Sequence, residues 1–193
     1  MLNLFIDTSS KYLTLILEQD DKLIDHLHIV GERKHTEQTI PAINSLLAKH
    51  HYKLKNVNNF YLTKGPGSYT GVRVGVTIAK TIKIINPLVK VYLITSLLYQ
   101  AGRIDAVSLL NAKGGKFYFA VISKGNEVIP SQVLDEPTIL GIAKQYPDFP
   151  ILKDQLDDPQ FDYLNNYFNL KNKFELIKDI NEIKPLYLKK SVG

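Results

Sequence analysis

Few side chains in this sequence have the type and spacing for chemistry, and the first to consider is an acid at the end of an apolar run. Asp7 follows Leu2-Asn3-Leu4-Phe5-Ile6 and precedes Thr8-Ser9-Ser10. An acid at a strand end can hold magnesium through water, or it can accept backbone amides and shape a turn; short polar residues after it favour the turn. The second candidate is Gly65-Pro66-Gly67-Ser68-Tyr69-Thr70-Gly71-Val72-Arg73-Val74-Gly75, set between Phe60-Tyr61-Leu62 and Val76-Thr77-Ile78-Ala79-Lys80-Thr81-Ile82. Strand, glycine loop and helix in succession is how α/β proteins build phosphate sites. Neither nucleotide motif is met. A P-loop needs Lys and Ser or Thr after its second glycine, where Val72 and Arg73 stand, and a dinucleotide fingerprint needs glycine where Thr70 stands.

Other chemistries are weaker still. His26, His28, His35, His50 and His51 show no HExxH spacing, and His35 has Thr39 where a second helical ligand would stand. Ser68 lacks the second flanking glycine of a nucleophile elbow. With no cysteine, disulfides, thiol nucleophiles and thiolate zinc sites are excluded. Asn111, at the matching point of the second half, is no anionic ligand, although Gly114-Gly115 nearby could touch phosphate. Asp7 and Asn111 thus read as a vestigial nucleotide or magnesium site. No metal and no cofactor is expected.

The glycine stretch says more through the helix it launches. Gly71, Gly75, Ala79 and Ile82 form a row with little side-chain bulk. An interior glycine costs about 0.8–1.0 kcal/mol relative to alanine, so close approach of another backbone should compensate. Two readings are open: packing inside the lobe, or a seam for a helix of another protein. The second predicts that Gly75→Leu abolishes pairing while the protein stays folded.

The elements that carry these residues follow from periodicity. Leu2 to Ile6, Tyr12 to Leu17 and Leu23 to Val30 are strands, and Thr36 to Lys49 is an amphipathic helix with Ile40, Ile43, Leu46 and Leu47 on one face. Pro41 limits the start of that helix, with an N-cap near Glu37 or Gln38. Phe60 to Leu62 is a strand, Gly71 to Ile85 a helix, Lys90 to Ile94 a strand, and Ser96 an N-cap for a short helix to Ala101. The order then restarts: strands at Ala106 to Leu110, Phe117 to Ile122 and Glu127 to Leu134, and a helix from Pro137 to Tyr146. Pro150 to Leu152 is a short strand, Gln160 to Phe168 a helix, Glu175 to Ile183 a further helix, and Pro185 opens a C-terminal segment.

A duplicated βββα unit is the pattern of the α/β, two-lobed actin, Hsp70 and sugar-kinase superfamily, whose core is ribonuclease H-like. The lobes are expected at 1–102 and 103–193, the second trimmed, with the extreme C-terminus able to pack back on the first. The chain has 193 residues, 45% apolar, enough to bury a core. Its 24 basic and 19 acidic residues are spread out, permitting but not requiring a polyanion partner. Asp7 stops the first apolar run far short of a membrane span, and a cytoplasmic protein without membrane contact is expected.

Several motifs together resemble one family. These are Phe5-Ile6-Asp7-Thr8-Ser9, His35-Thr36-Glu37-Gln38 leading to Ile40-Pro41-Ala42-Ile43, the stretch from Gly65 to Gly75 with Ala79-Lys80, Asn111 to Tyr118, and Pro185-Leu186-Tyr187-Leu188-Lys189. They are similar to TsaB, or YeaZ, proteins. The resemblance implies a non-catalytic scaffold for N6-threonylcarbamoyladenosine formation in tRNA, paired with a TsaD-like transferase and joined by a TsaE-like ATPase. It also implies a homodimer when alone, and contact with tRNA only indirectly or weakly. Pairing is expected through first-lobe helices, at Thr36, Thr39, Ile43, Gly71, Gly75, Ala79 and Ile82. The family usually has an acid where Asn111 stands, and the match fades after Val121. The alternative is an active ATPase or small-molecule kinase, with Asp7 holding magnesium.

Overall fold

The structure is a computed structural model that describes residues 1–31 and 34–188. Three strands open it, β1 (Leu2–Asp7), β2 (Tyr12–Gln19) and β3 (Lys22–Val30), followed by α1 (His35–Lys49), β4 (Asn59–Thr63), α2 (Tyr69–Ile85), β5 (Lys90–Ile94) and α3 (Ser96–Ala101). The second half repeats the opening with β6 (Ala106–Asn111), β7 (Lys116–Ser123), β8 (Asn126–Asp135) and α4 (Glu136–Ala143). It ends in β9 (Ile151–Lys153), α5 (Tyr163–Leu170) and β10 (Glu175–Ile177). The first sheet has the order β10-β5-β4-β1-β2-β3 and the second β8-β7-β6-β9. Within the first, β1, β4 and β5 run parallel while β2, β3 and β10 are antiparallel to their neighbours.

Strand β1 is buried along its whole length because both faces of the first sheet are covered. Alternation assigns its side chains. Leu2, Leu4 and Ile6 pack with Ile43, Leu47, Val72, Val76 and Ala79 on the side of α1 and α2. Phe5 points the other way, into a core shared with Tyr99 of α3 and with Tyr167 and Leu170 of α5. The two rings stand 5.0 Å from Phe5. A buried Glu18 carboxylate ties α5 to the sheet: it accepts from Asn3 Nδ2, and Lys171 Nζ meets it at 2.5 Å. Opposite charge and hydrogen bonds compensate its desolvation.

Local expectations fail in three places, each for a visible reason. Helix α1 begins at His35, after Lys34, so Pro41 lies inside it. Pro41 is exposed, on the side where water can take the carbonyl that proline leaves unbonded. The cap of α3 is Thr95, whose Oγ1 accepts the Leu98 N–H at 3.2 Å, and Ser96 is the first helical residue. The stretch from Glu175 to Ile183 is not the expected helix but a short strand followed by a single 3-10 turn at Ile180–Glu182. Its first three residues pair with Val91, Tyr92 and Leu93 of β5, covering an edge that would otherwise carry unpaired backbone groups.

The last described residues return to the glycine stretch. Ile183 is fully buried in the α1 and α2 core, and the Leu186 N–H donates to the Lys64 carbonyl at 2.7 Å. Tyr187 then stacks on Tyr69 at the start of α2, with 5.3 Å between ring centroids.

Candidate functional site

The turn after β1 and the start of α2 are built as one unit. Asp7 is 2% exposed, and its Oδ1 accepts the Ser9 N–H at 2.8 Å and the Thr63 hydroxyl at 2.6 Å. The Thr8 hydroxyl donates to the Gly71 carbonyl at 2.7 Å, and the Ser68 N–H donates to the Ser9 carbonyl at 2.7 Å. Ser68 caps α2 by accepting the Gly71 N–H at 3.3 Å. The glycines are required by this approach. A Cβ on Gly67 would stand 2.3 Å from the Ser9 oxygen, and one on Gly71 1.9 Å from the Thr8 oxygen. On Gly75 it would meet Thr8 Oγ1 at 2.9 Å.

The bare face of α2 therefore looks inward. Gly71, Gly75, Ala79 and Ile82 are all buried within the first lobe, which corrects the expectation of an intermolecular seam there. The backbone that approaches Gly67 and Gly71 is that of Thr8 and Ser9, Gly75 makes room for the Thr8 hydroxyl, and Gly75→Leu would break the fold rather than a complex. Thr39 and Ile43 are buried as well, Thr39 donating to the His35 carbonyl at 2.6 Å. Thr36 alone of the expected pairing residues is exposed.

The cleft between the two sheets has a volume of about 1100 Å³. Its walls include Ser9, Ser10, His35 and the first turn of α2 on one side, and Asn111, Lys113, Asp154 and Asp157 on the other. Asn111 lines it but Asp7 does not, so the expected vestigial pair is not brought together. Asn111 closes its own turn by accepting the Lys113 N–H at 2.7 Å, while its N–H donates to Asp154 Oδ1 at 2.7 Å. His35 Nε2 donates to the Ser10 carbonyl at 3.0 Å, a structural task. Among the described residues no group of three His, Asp or Glu side chains is arranged to hold a metal ion.

His28 and His50 are occupied as well. His28 is sandwiched between Tyr12 and Tyr163, 4.2 Å from each ring, and meets Thr14 Oγ1 at 2.9 Å. Burial pushes its pKa below the ordinary imidazole value, partly offset by the Asp7 charge, and nearby His26 lowers it further. His50 and Lys49 both reach Asp25, whose carboxyl Lys49 above all holds well below the usual range.

A second concavity, of about 360 Å³, runs between the exposed sides of α1 and α2. It is lined by Thr36 and Ile40 from the first helix and by Tyr69, Thr70, Arg73, Val74, Thr77 and Ile78 from the second. The α2 residues fall at the three and four residue spacing of one helical stripe, beside the glycine row. That spacing is present in the sequence, where the adjoining glycine row is the stronger signal. Leu186, Tyr187 and Leu188, which line the cleft, carry no such signal.

The family model described as TsaD, tRNA N6-adenosine threonylcarbamoyltransferase, matches residues 29–156. Among curated relatives, the uncharacterized protein MG208 homolog of Mycoplasma pneumoniae is 30% identical over 98% of this chain and 96% of its own. The tRNA threonylcarbamoyladenosine biosynthesis protein TsaB of Bacillus subtilis is 30% identical over 72% of this chain. That match spans 62% of the relative's length. Among solved structures, YeaZ from Pseudomonas aeruginosa superposes with a TM-score of 0.73 at 19% identity, covering 97% of this chain and 99% of the other. A second Pseudomonas aeruginosa structure, described as similar to peptidase YeaZ, gives 0.74 at 18%, with the same coverage. These likenesses are of fold, and the fold is the two-lobed, actin-like one expected from the duplicated βββα unit.

Proposed function

Because the chain belongs to the TsaB (YeaZ) family, within the group that the TsaD model describes, we propose that it serves N6-threonylcarbamoyladenosine formation in tRNA as a non-catalytic scaffold. In this role it pairs with a TsaD-type transferase, with a TsaE-type ATPase joining the pair in the cytoplasm. The observation that carries the reading is the exposed groove between α1 and α2, walled by Ile40, Val74, Thr77 and Ile78 with Arg73 and Tyr69 at one end. It presents two parallel rows of side chains to a partner helix, the arrangement by which helices interdigitate. The docking face thus moves from the buried glycine row to the stripe beside it, keeping Thr36. In the absence of the transferase the same groove receives a second copy of the chain, giving the homodimer, and tRNA is reached through the partner.

The first-lobe turn supports a non-catalytic role. Asp7 spends its Oδ1 on Ser9 and Thr63. The Ser9 carbonyl, rather than a row of free amides, faces the glycine stretch. An acid held this way is a turn former, and the ATPase alternative would need it released into the cleft.

The test is co-purification with a TsaD-type transferase from the same organism, comparing the natural chain with Thr77→Arg. Thr77 is exposed, so the variant should fold and should lose the partner. Threonylcarbamoyladenosine in tRNA, measured by nucleoside mass spectrometry, should fall in parallel. Unchanged pairing by Thr77→Arg would remove the groove from the account.

A further inference from the structure

We propose that Pro185 to Leu188 form a strap that positions Tyr69 and Arg73, so that docking in the groove depends on the strap being seated. The proposal rests on the groove being the transferase docking face. The strap runs beside the residues that open the glycine stretch: the Leu186 N–H donates to the Lys64 carbonyl at 2.7 Å. A Cβ on Gly65 would stand 3.6 Å from the Leu186 oxygen, so backbone lies close against backbone there. The next residue, Tyr187, lays its ring on Tyr69 with an interplanar angle of 28°.

Tyr69 is the first residue of α2 and is 61% exposed; Tyr187 is 51% exposed. Neither ring is fixed by a core. Arg73, one turn on, completes a stack: its guanidinium lies 5.3 Å from the Tyr69 ring centroid and its Nη1 donates to the Tyr69 oxygen at 3.3 Å. Tyr69 lines both the cleft and the groove, and Tyr187 lines the cleft. The row Tyr187, Tyr69, Arg73 therefore leads from one concavity to the other. An exposed ring at a helix start, with no preceding turn to rest on, samples several rotamers unless something covers one face. The strap covers it. A partner that docks against Tyr69 and Arg73 then binds groups already in place and loses less freedom on binding. This gives the C-terminal Pro-Leu-Tyr-Leu sequence a task that neither the cleft nor the sheet requires.

The chain has no cysteine, which allows a direct test. Affinity for the purified TsaD-type transferase would be measured by calorimetry for the natural chain, Tyr187→Ala, Tyr187→Phe and the double variant Lys64→Cys with Leu186→Cys. In the last, oxidation locks the strap. Loss of one aromatic stack should weaken binding about fivefold in Tyr187→Ala. Tyr187→Phe, which keeps the stack, and the oxidised lock should bind at least as tightly as the natural chain. In the isolated chain, hydrogen exchange of the amides from Gly65 to Val72 should quicken in Tyr187→Ala. Natural affinity in Tyr187→Ala overturns the proposal, as does loss of binding in the oxidised lock, which would mean that the strap must leave. Natural affinity in Thr77→Arg removes the groove reading, and the strap's consequence for docking with it. A weakened Thr77→Arg beside an unchanged Tyr187→Ala removes the strap alone.

Discussion

The turn after β1 and the turn after β6 occupy the same place in the two βββα units, yet one is shut and the other open. In the first, Asp7, Thr8 and Ser9 are all buried, and their hydrogen bonds run to Thr63, Gly71 and Ser68. In the second, Asn111, Lys113, Gly114 and Gly115 are exposed, and a Cβ on either glycine would meet nothing within 4 Å. The difference lies in what packs on each. Helix α2 abuts the first turn, whereas the turn after β6 faces the cleft and is tied to Asp154. One topology thus yields a buried structural joint in one lobe and a solvent-exposed rim in the other, set by the neighbouring element rather than by the turn itself.

The largest test of this contrast is a pair of glycine substitutions. Gly71→Val puts its Cβ 1.9 Å from the Thr8 carbonyl oxygen, which is backbone and cannot step aside. It should cost about 3 kcal/mol or more, by overpacking. Gly114→Ala meets open space and bears only the strain of φ at +66°, about 1 kcal/mol. Urea unfolding of both variants reads the difference, and equal midpoints would mean that the first turn is not held as described.

Next comes the acid. Asp7→Ala leaves the Ser9 N–H and the Thr63 hydroxyl buried without their acceptor, and should cost about 2–3 kcal/mol. Asp7→Asn keeps an amide oxygen in place of Oδ1 and should cost about 1 kcal/mol. A magnesium ligand would tolerate neither change in activity, while a turn former tolerates the second; calorimetric unfolding beside the partner pull-down separates the two.

A charge effect should follow from the same substitution. Asp7 pairs in register with Thr14, and Thr14 with His28, so the three lie in one row across β1, β2 and β3. Burial lowers the His28 pKa, the Asp7 charge works against that, and His26 adds to the lowering. With the folded value below the unfolded one, the unfolded chain binds more protons between them. Stability is then full above about pH 6.5, the ordinary value, and falls as the pH drops through it toward the folded value. Removing the Asp7 charge in Asp7→Asn should lower the His28 titration further and widen that window, as an NMR titration of the His28 ring would show. The second turn has no counterpart, since Asn111 does not titrate.

How much of this was legible in the sequence depends on whether the cause was local. The duplicated βββα order, the strand at Leu2 to Ile6 and the helix after the glycine stretch follow from periodicity and turn formers. Asp7 as a turn former also follows, from the short polar residues beside it. The direction of the glycine face does not, because Gly75 requires a close neighbour without saying whose, and the answer, the Thr8 side chain, lies 67 positions earlier. The fate of Glu175 to Ile177 was hidden in the same way. Three residues carry no decisive period, and their strand exists because β5 offers an edge. The groove was readable as a stripe at Tyr69, Arg73, Val74, Thr77 and Ile78, but only a structure shows that α1 leaves it uncovered.

The smallest expected effect is the sharpest for function. Asn111→Asp gives the second turn an acid at the place that Asp7 holds in the first. Its side chain is exposed, and the new carboxylate can still accept the Lys113 N–H, so stability should change by less than about 0.5 kcal/mol, despite some repulsion from Asp154. If the cleft were a phosphate site lacking only this ligand, the variant would gain binding of ATP with magnesium. The first-lobe partner of that ligand is Asp7, and Asp7 is buried against Ser9 and Thr63 rather than facing the cleft. Titration calorimetry of Asn111→Asp should therefore record no gain in nucleotide binding, and a clear binding isotherm would show that the shut turn opens when its partner charge returns.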